Sequence, residues 1–245
     1  MKLVVKIIGF LVVTFLFSFC KKHQPKTMKS EAEVQSLKSV LEKKQLKFIE
    51  KASDETKKIY GEGILKVKYS GITKSAKQVG DTAPNFELKN AVGEVVSLQS
   101  YLKKGPVVLT WYRGGWCPYC NLTLQHMQRE LSNFKLNGAN LIALTPELPD
   151  NSMNTVEKNN LEFEVLSDVG NKVAKEYGIV FKLTDAIIKK YKGKLEKYNG
   201  DDSNELPLAA TYIINTNGEI VYAFLDADYR NRAEPSELTE KLKSL

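Results

Sequence analysis

The chain has 245 residues, 42% of them hydrophobic, with a formal charge of +7 at pH 7. That length allows one or two domains, and that apolar share is enough for a packed core. Its three cysteines exclude a disulfide scaffold and a four-thiolate zinc site, and lysines interleaved with acids read as solvated surface rather than a nucleic-acid patch, since no compact basic stripe with stacking aromatics appears.

Lys2 and Lys6 make the N-terminus positive, and residues 7–19 are almost wholly apolar. The run is shorter than the ~20 residues a membrane-spanning helix needs and has the length of a signal-peptide core. Cys20 follows at once, then Lys21 and Lys22. A cysteine there resembles a bacterial lipoprotein signal, in which Cys20 becomes the lipidated first residue. Phe17 and Phe19 are bulkier than that pattern prefers, while Leu16 and Ser18 fit it; ordinary cleavage and an uncleaved anchor are the alternatives. Export predicts a location in the bacterial cell envelope, as a membrane-anchored lipoprotein or a periplasmic protein, where disulfides persist unless a dedicated reductant reaches them.

Residues 21–29 read as a polar tether. Residues 31–60 read as helix, with Val34, Leu37, Leu41 and Phe48 on one face and a break expected at Gly61 and Gly63. Turn chemistry in Gly80-Asp-Thr-Ala-Pro-Asn-Phe86 opens the main domain, and a hairpin around Asn90-Ala-Val-Gly93 leads into residues 94–98. Pro106-Val-Val-Leu-Thr-Trp-Tyr112 is a buried strand by its short apolar, β-branched and aromatic run. Residues 118–137 switch to helical spacing with Leu124, Met127, Leu131 and Phe134 on one face, and Gly138 ends the helix. Further on, 140–145 is a strand, 151–159 a helix, 163–166 a strand and 169–177 a helix. Residues 181–206, polar and rich in lysine, are expected to form an excursion from the core, a short helix followed by a loop. Strands over 211–215 and 219–225 flank the hairpin turn Thr216-Asn-Gly218, and 235–245 is a closing helix. The order implies an α/β sandwich with a mixed sheet.

Between the buried strand and the long helix lies Trp116-Cys117-Pro118-Tyr119-Cys120. Pro118 suits the first helical position, where its missing N–H is not needed. Both thiols therefore sit at a helix N-terminus, whose free N–H groups and dipole favour thiolate. Cys117, at the helix edge, is expected to be the more exposed sulfur. Cys120, one turn in and aligned with Leu124 and Met127, is expected to be more buried. Arg113 is a candidate for holding a thiolate electrostatically, with a plain surface arginine as the alternative, and Trp116 for shielding the sulfurs and meeting partners. His126, six residues past Cys120, points to another face. Glu147 and Asp150 form a polar turn after a strand, with the site rim as a lesser alternative, and Asp201-Asp202 a solvated loop.

From Gly80 onward the chain resembles the peroxiredoxin-like branch of the alkyl hydroperoxide reductase/thiol-specific antioxidant family. The resemblance is carried by Gly80–Phe86, Trp111-Tyr-Arg-Gly-Gly-Trp-Cys-Pro-Tyr-Cys120, Leu166-Ser-Asp168, Tyr198-Asn-Gly-Asp-Asp-Ser203 and Ala210-Thr-Tyr-Ile-Ile214. It implies a thioredoxin-like sandwich with a central mixed β-sheet plus an N-terminal helical extension. Laid on that family's Pro-X-X-X-Thr-X-X-Cys, the peroxide-attacking cysteine falls on Cys120, the threonine on Cys117 and the proline on Arg113. The arginine that family keeps just before its late Ala-Thr strand is replaced by Ala209. The pair itself resembles thioredoxin's, although Trp111 stands where thioredoxins keep a buried aspartate.

The resemblance implies a thiol peroxidase using Cys117 and Cys120, supported by Arg113, Trp116 and Pro118, with no cofactor or metal. Its partners would be a peroxide, a thioredoxin-like reductant and, through Cys20, the membrane. A membrane-tethered thiol–disulfide oxidoreductase is the other reading. Family alignment makes Cys120 the attacking sulfur and expected exposure makes it Cys117. The organisation expected is a signal peptide over 1–19, a tether over 20–29, a helical extension over 30–75 and a thioredoxin-like domain over 76–245.

Overall fold

Along the buried strand, Val107, Leu109 and Trp111 face one side while Val108 faces the other, and each side meets its own apolar layer. The structure, a computed structural model, describes residues 35–90 and 92–245; the signal and tether expectations and Cys20 lie outside them. The elements run α1 (Leu37–Lys51), α2 (Asp54–Tyr69), α3 (Ile72–Ser75), β1 (Glu87–Lys89), β2 (Val95–Ser97), α4 (Leu98–Leu102), β3 (Val107–Trp111) and α5 (Pro118–Leu136). Then follow β4 (Asn140–Thr145), α6 (Pro149–Asn159), β5 (Glu164–Ser167), α7 (Lys172–Glu176), β6 (Val180–Lys182), α8 (Asp185–Tyr191) and α9 (Lys194–Asn199). The chain ends with β7 (Glu205–Pro207), β8 (Thr211–Ile214), β9 (Ile220–Phe224) and α10 (Pro235–Leu242).

The central sheet has the order β5-β4-β3-β8-β9. β3, β4 and β5 are parallel, while β8 and β9 run antiparallel to their neighbours, so the sheet is mixed as expected. On one face Met127, Leu131 and Phe134 of α5 pack with Val108, Ile213 and Leu238. On the other, Trp111 sits between the rings of Tyr177 and Tyr212, at centroid distances of 4.7 and 5.9 Å. Burial on both faces explains why β3 is apolar except for Thr110, whose hydroxyl hydrogen-bonds with Thr211, instead of alternating.

Three expectations need correction. The helix read over 31–60 is two helices, and the break lies at Ser53, not at Gly61. Ser53 caps α2 by accepting from Thr56 N (3.3 Å), and Asp54 and Glu55 occupy the first turn, where the helix dipole favours acids. Gly61 and Gly63 lie inside α2. Gly63 is buried, and a Cβ there would collide with Ile187 of α8, so its small size sets how closely the two helices approach. The helix read over 169–177 is shorter, starting at Lys172 after Asn171 in the left-handed conformation. The segment 181–206 is no excursion. It forms two helices clasped by the antiparallel β6–β7 pair, with Leu183, Ile187, Leu195 and Leu206 buried together. Its lysines occupy the wet sides of short helices, which hid the apolar residues between them.

Helix α1 is seated by its apolar stripe: Leu37 and Leu41 are buried in one cluster with Tyr112, Cys117, Cys120 and Leu124. The carboxylate of Glu234 accepts from the N–H groups of Leu37 (3.0 Å) and Lys38 (2.9 Å), satisfying donors that no helical carbonyl can reach. Among the described residues no helix is long and apolar enough to cross a membrane.

Candidate active site

The loop from β3 to α5 leaves the carboxyl end of the parallel strands, where open α/β sheets characteristically form their sites. Cys117 is the N-cap of α5 and Pro118 its first residue, which puts Cys120 in the first turn. Two glycines let the loop fold tightly. Gly114 has φ +143°, and a Cβ there would collide with Trp116 and approach Glu147 Oε1 to 2.9 Å; a Cβ on Gly115 would collide with Thr155. Asn121 ties the loop to the helix by donating to the carbonyls of Gly115 (2.7 Å) and Cys117 (3.1 Å).

Both sulfurs are reduced and buried, Cys117 2% exposed and Cys120 0%. The expectation of an exposed Cys117 is therefore corrected: α1 and the aromatic residues around the loop cover it. Further groups join the helix terminus in stabilising a thiolate. Cys120 Sγ accepts from the backbone N–H of Arg113 (3.4 Å) and from Arg232 Nη2 (3.5 Å). Burial pushes the Cys120 thiol up, but the hydrogen bond from Cys117, the guanidinium charges of Arg232 and Arg113, and the Arg113 N–H outweigh it and leave the thiol well below its ordinary value. Cys117 is raised, first by burial and then by donating its own proton to Cys120. The two environments therefore favour the thiolate on Cys120 and the thiol on Cys117.

Arg113 is no surface residue, being 3% exposed. Its guanidinium lies over the ring of Tyr229 at 4.2 Å and that of Trp116 at 5.2 Å, and donates to Tyr191 Oη at 3.1 Å. Trp116 in turn packs edge-on against Tyr191, with centroids 5.2 Å apart. Pro118 is the exposed residue of the motif. His126 has its imidazole beside Arg129 (3.4 Å), away from the sulfurs.

Glu147 is not at the rim but fully buried. Its Oε2 accepts from Gly115 N at 2.9 Å, while Oε1 has no partner among the described residues. Arg113 Nε and Trp116 Nε1 are likewise buried and unpartnered. Each such atom forgoes on the order of 1–3 kcal/mol of hydrogen bonding, and a concentration of them around two sulfurs marks a site arranged for chemistry rather than stability. Sequence reasoning missed Arg232, Tyr191 and Tyr229 altogether. None has a local signal, because Arg232 and Cys120 are 112 residues apart.

Burial raises the Glu147 carboxyl from its ordinary value of 4.5 to about 7, with the Gly115 N–H opposing and the charge on Cys120 adding. A folded-state value above the unfolded one means stability that is fully present below pH 4.5 and lost as pH rises through about 7. The loss amounts to about 3 kcal/mol at about 1.4 kcal/mol per unit. Glu147→Gln is therefore expected to be more stable than the parent above pH 7 and to gain nothing near pH 4.5. Urea titrations of both proteins across that window check it, and parallel pH curves would contradict it.

The AhpC/TSA family description matches residues 79–223. The chain is similar to the thiol-disulfide oxidoreductase ResA of Bacillus thuringiensis subsp. konkukian (strain 97-27), 29% identical over 140 residues, covering 56% of this chain and 80% of that protein. It is also similar to the chloroplastic peroxiredoxin Q of Oryza sativa subsp. japonica, 30% identical over 167 residues, covering 68% of this chain and 65% of that protein. Among solved structures, the fold is that of the peroxidoxin BcpB from Mycobacterium tuberculosis, with TM-score 0.55, 20% identity and coverage of 69% of this chain and 97% of that one. A peroxiredoxin-like protein from Aquifex aeolicus aligns with TM-score 0.56, 17% identity and coverage of 69% and 88%. The mixed sheet, its helical layers and a cysteine pair at the strand-to-helix turn make this a thioredoxin-like fold, and the match over residues 79–223 means that the chain belongs to the AhpC/TSA family.

Proposed function

We propose that the chain is a thiol-dependent peroxidase that reduces hydrogen peroxide or organic hydroperoxides through a Cys117–Cys120 dithiol/disulfide cycle. The observation that supports it most is the setting of Cys120. At the position aligned with the family's attacking cysteine, a sulfur accepts from Arg113 N and Arg232 Nη2 while its neighbour Cys117 keeps a proton. In the cycle, the Cys120 thiolate attacks one peroxide oxygen. The O–O bond breaks, the leaving oxygen takes a proton to become water or alcohol, and Cys120 becomes a sulfenic acid. Cys117 then condenses with it, expelling water and forming the disulfide. A dithiol protein of thioredoxin type supplies two electrons and two protons to restore both thiols. Arg232 supplies the positive charge that the family takes from the position held here by Ala209. Arg113 adds a second positive charge, Trp116 covers the pair, and Pro118 starts the helix that carries Cys120.

The second reading is a membrane-tethered thiol–disulfide oxidoreductase acting on envelope proteins. It is favoured by the cysteine at 117, where the peroxidase pattern has threonine, and by the similarity to ResA. The location in the cell envelope and the lipid tether at Cys20 rest on residues 1–22 of the sequence alone. The two activities separate in one pair of assays with dithiothreitol as the recycling reductant. Rapid loss of hydrogen peroxide, matched mole for mole by dithiothreitol oxidation, is expected. Fast reduction of insulin disulfides with negligible peroxide loss would replace the first reading by the second.

A further inference from the structure

Beside the cysteine pair lies a groove of about 730 Å³ between α1 and the start of α5. Lys43, Lys44, Lys47 and Lys51 line it, and among the described residues no acidic side chain does. Its apolar surface comes from Phe48, Pro118, Tyr119 and Leu122. Lys43 and Lys47, and again Lys47 and Lys51, stand four residues apart on α1, a spacing at which like charges repel and weaken a helix. Among the described residues none of these lysines forms an ion pair. Lys43 donates to Gln35 Oε1 (3.0 Å), and Lys44 Nζ lies 5.7 Å from the Tyr119 ring centroid. The fold gains little from the stripe, yet holds it firmly next to the sulfurs. Glu234 caps α1, and Leu37 and Leu41 bury themselves in the same cluster as Cys117 and Cys120. Pro118, the exposed residue between the two cysteines, is part of the groove wall.

We propose that this groove docks an acidic segment of the thiol protein that exchanges electrons with Cys117 and Cys120. The proposal rests on the dithiol cycle above and names the chemistry of its partner. Positive charge on the rim raises the encounter rate of an acidic surface and orients it, an effect that salt suppresses. The aromatic and aliphatic floor accepts an apolar side chain beside those acids. With the partner docked there, and once the side chains covering the buried sulfurs move aside, its thiolate attacks the Cys117–Cys120 disulfide, forming a mixed disulfide and releasing one cysteine of the pair as a thiolate. A second thiol then displaces the first as a disulfide. Two electrons and two protons have passed to the chain, and both its sulfurs are thiols again.

The test uses the oxidised full chain and two single-cysteine peptides that differ only in flanking aspartates or lysines. Each reduction rate is taken relative to that of dithiothreitol on the same protein. The acidic peptide is expected to react about tenfold faster than the basic one at low salt, with the difference collapsing as salt screens it. The triple change Lys43→Glu, Lys47→Glu and Lys51→Glu should invert the order. Equal rates for the two peptides, or a preference that survives the triple change, overturn the docking site. A triple variant that keeps the peptide preference but loses binding to phosphatidylglycerol vesicles overturns it in favour of a membrane surface. Failure of dithiothreitol to reduce the parent protein overturns the dithiol cycle itself, and the docking assignment with it.

Discussion

A Cys120→Ser variant is expected to lose peroxide reduction by on the order of 10³-fold or more, because a serine hydroxyl cannot supply the thiolate that attacks. The Cys117→Ser variant should behave differently. With the attacking sulfur intact, it reacts once per chain and then stops as a sulfenic acid on Cys120, which dimedone labelling and mass spectrometry detect. The asymmetry follows from the site. Cys120 receives the Arg113 N–H and the Arg232 guanidinium, whereas Cys117 is buried and keeps its proton. Dimedone adducts on Cys117 in the Cys120→Ser protein, together with surviving peroxide turnover, would exchange the two roles. Loss of both activities to the same degree with no adduct on either variant would remove the peroxidase assignment.

Arg232→Leu is expected to slow peroxide reduction by roughly 10- to 100-fold near pH 6, and far less near pH 9. Arg232 helps to lower the Cys120 thiol, so the parent's thiolate is already formed in mildly acidic solution. Without that charge the thiol moves back toward its ordinary value of about 8.5, and each unit of the move removes tenfold of the thiolate below it. Above both values the two proteins hold the same thiolate fraction and their rates converge. Alkylation of Cys120 by iodoacetamide, followed against pH in a Cys117→Ser background, reads the thiolate directly and needs no peroxide. Arg232→Lys should recover part of the shift, since a point charge persists but the forked guanidinium does not. A loss equal at every pH, with an unmoved alkylation profile, would mean that Arg232 does not tune the thiol.

The peroxiredoxin comparison found no arginine at position 209, and the thioredoxin comparison found no buried acid at position 111. Groups of the same kind come from elsewhere in the fold. Arg232, on the approach to α10, brings its guanidinium to Cys120, and Glu147, two residues past β4, brings a buried carboxyl to the loop glycines. Glu147 was visible as a polar residue after a strand, but its burial was not. The exposure argument that favoured Cys117 failed for a related reason. Helix position alone ignores α1 and the aromatic side chains that close over the loop. Within the 181–206 segment, helix spacing was masked by lysines, and Tyr191 was lost with it.

Chain-local chemistry by itself determined the order of elements, the strand-to-helix junction and the cysteine pair within it. Those features depend on side-chain period, on Pro118 and on two sulfurs separated by two residues, all of which act over a turn or less. Only the tertiary structure decided which sulfur the surroundings favour as a thiolate. That asymmetry comes from a backbone N–H fixed at the end of β3 and a guanidinium 112 positions away. Their approach to one sulfur is set by how the sheet, α1 and the C-terminal segment pack together, and electrostatic effects of this kind depend on distance and burial rather than on sequence spacing.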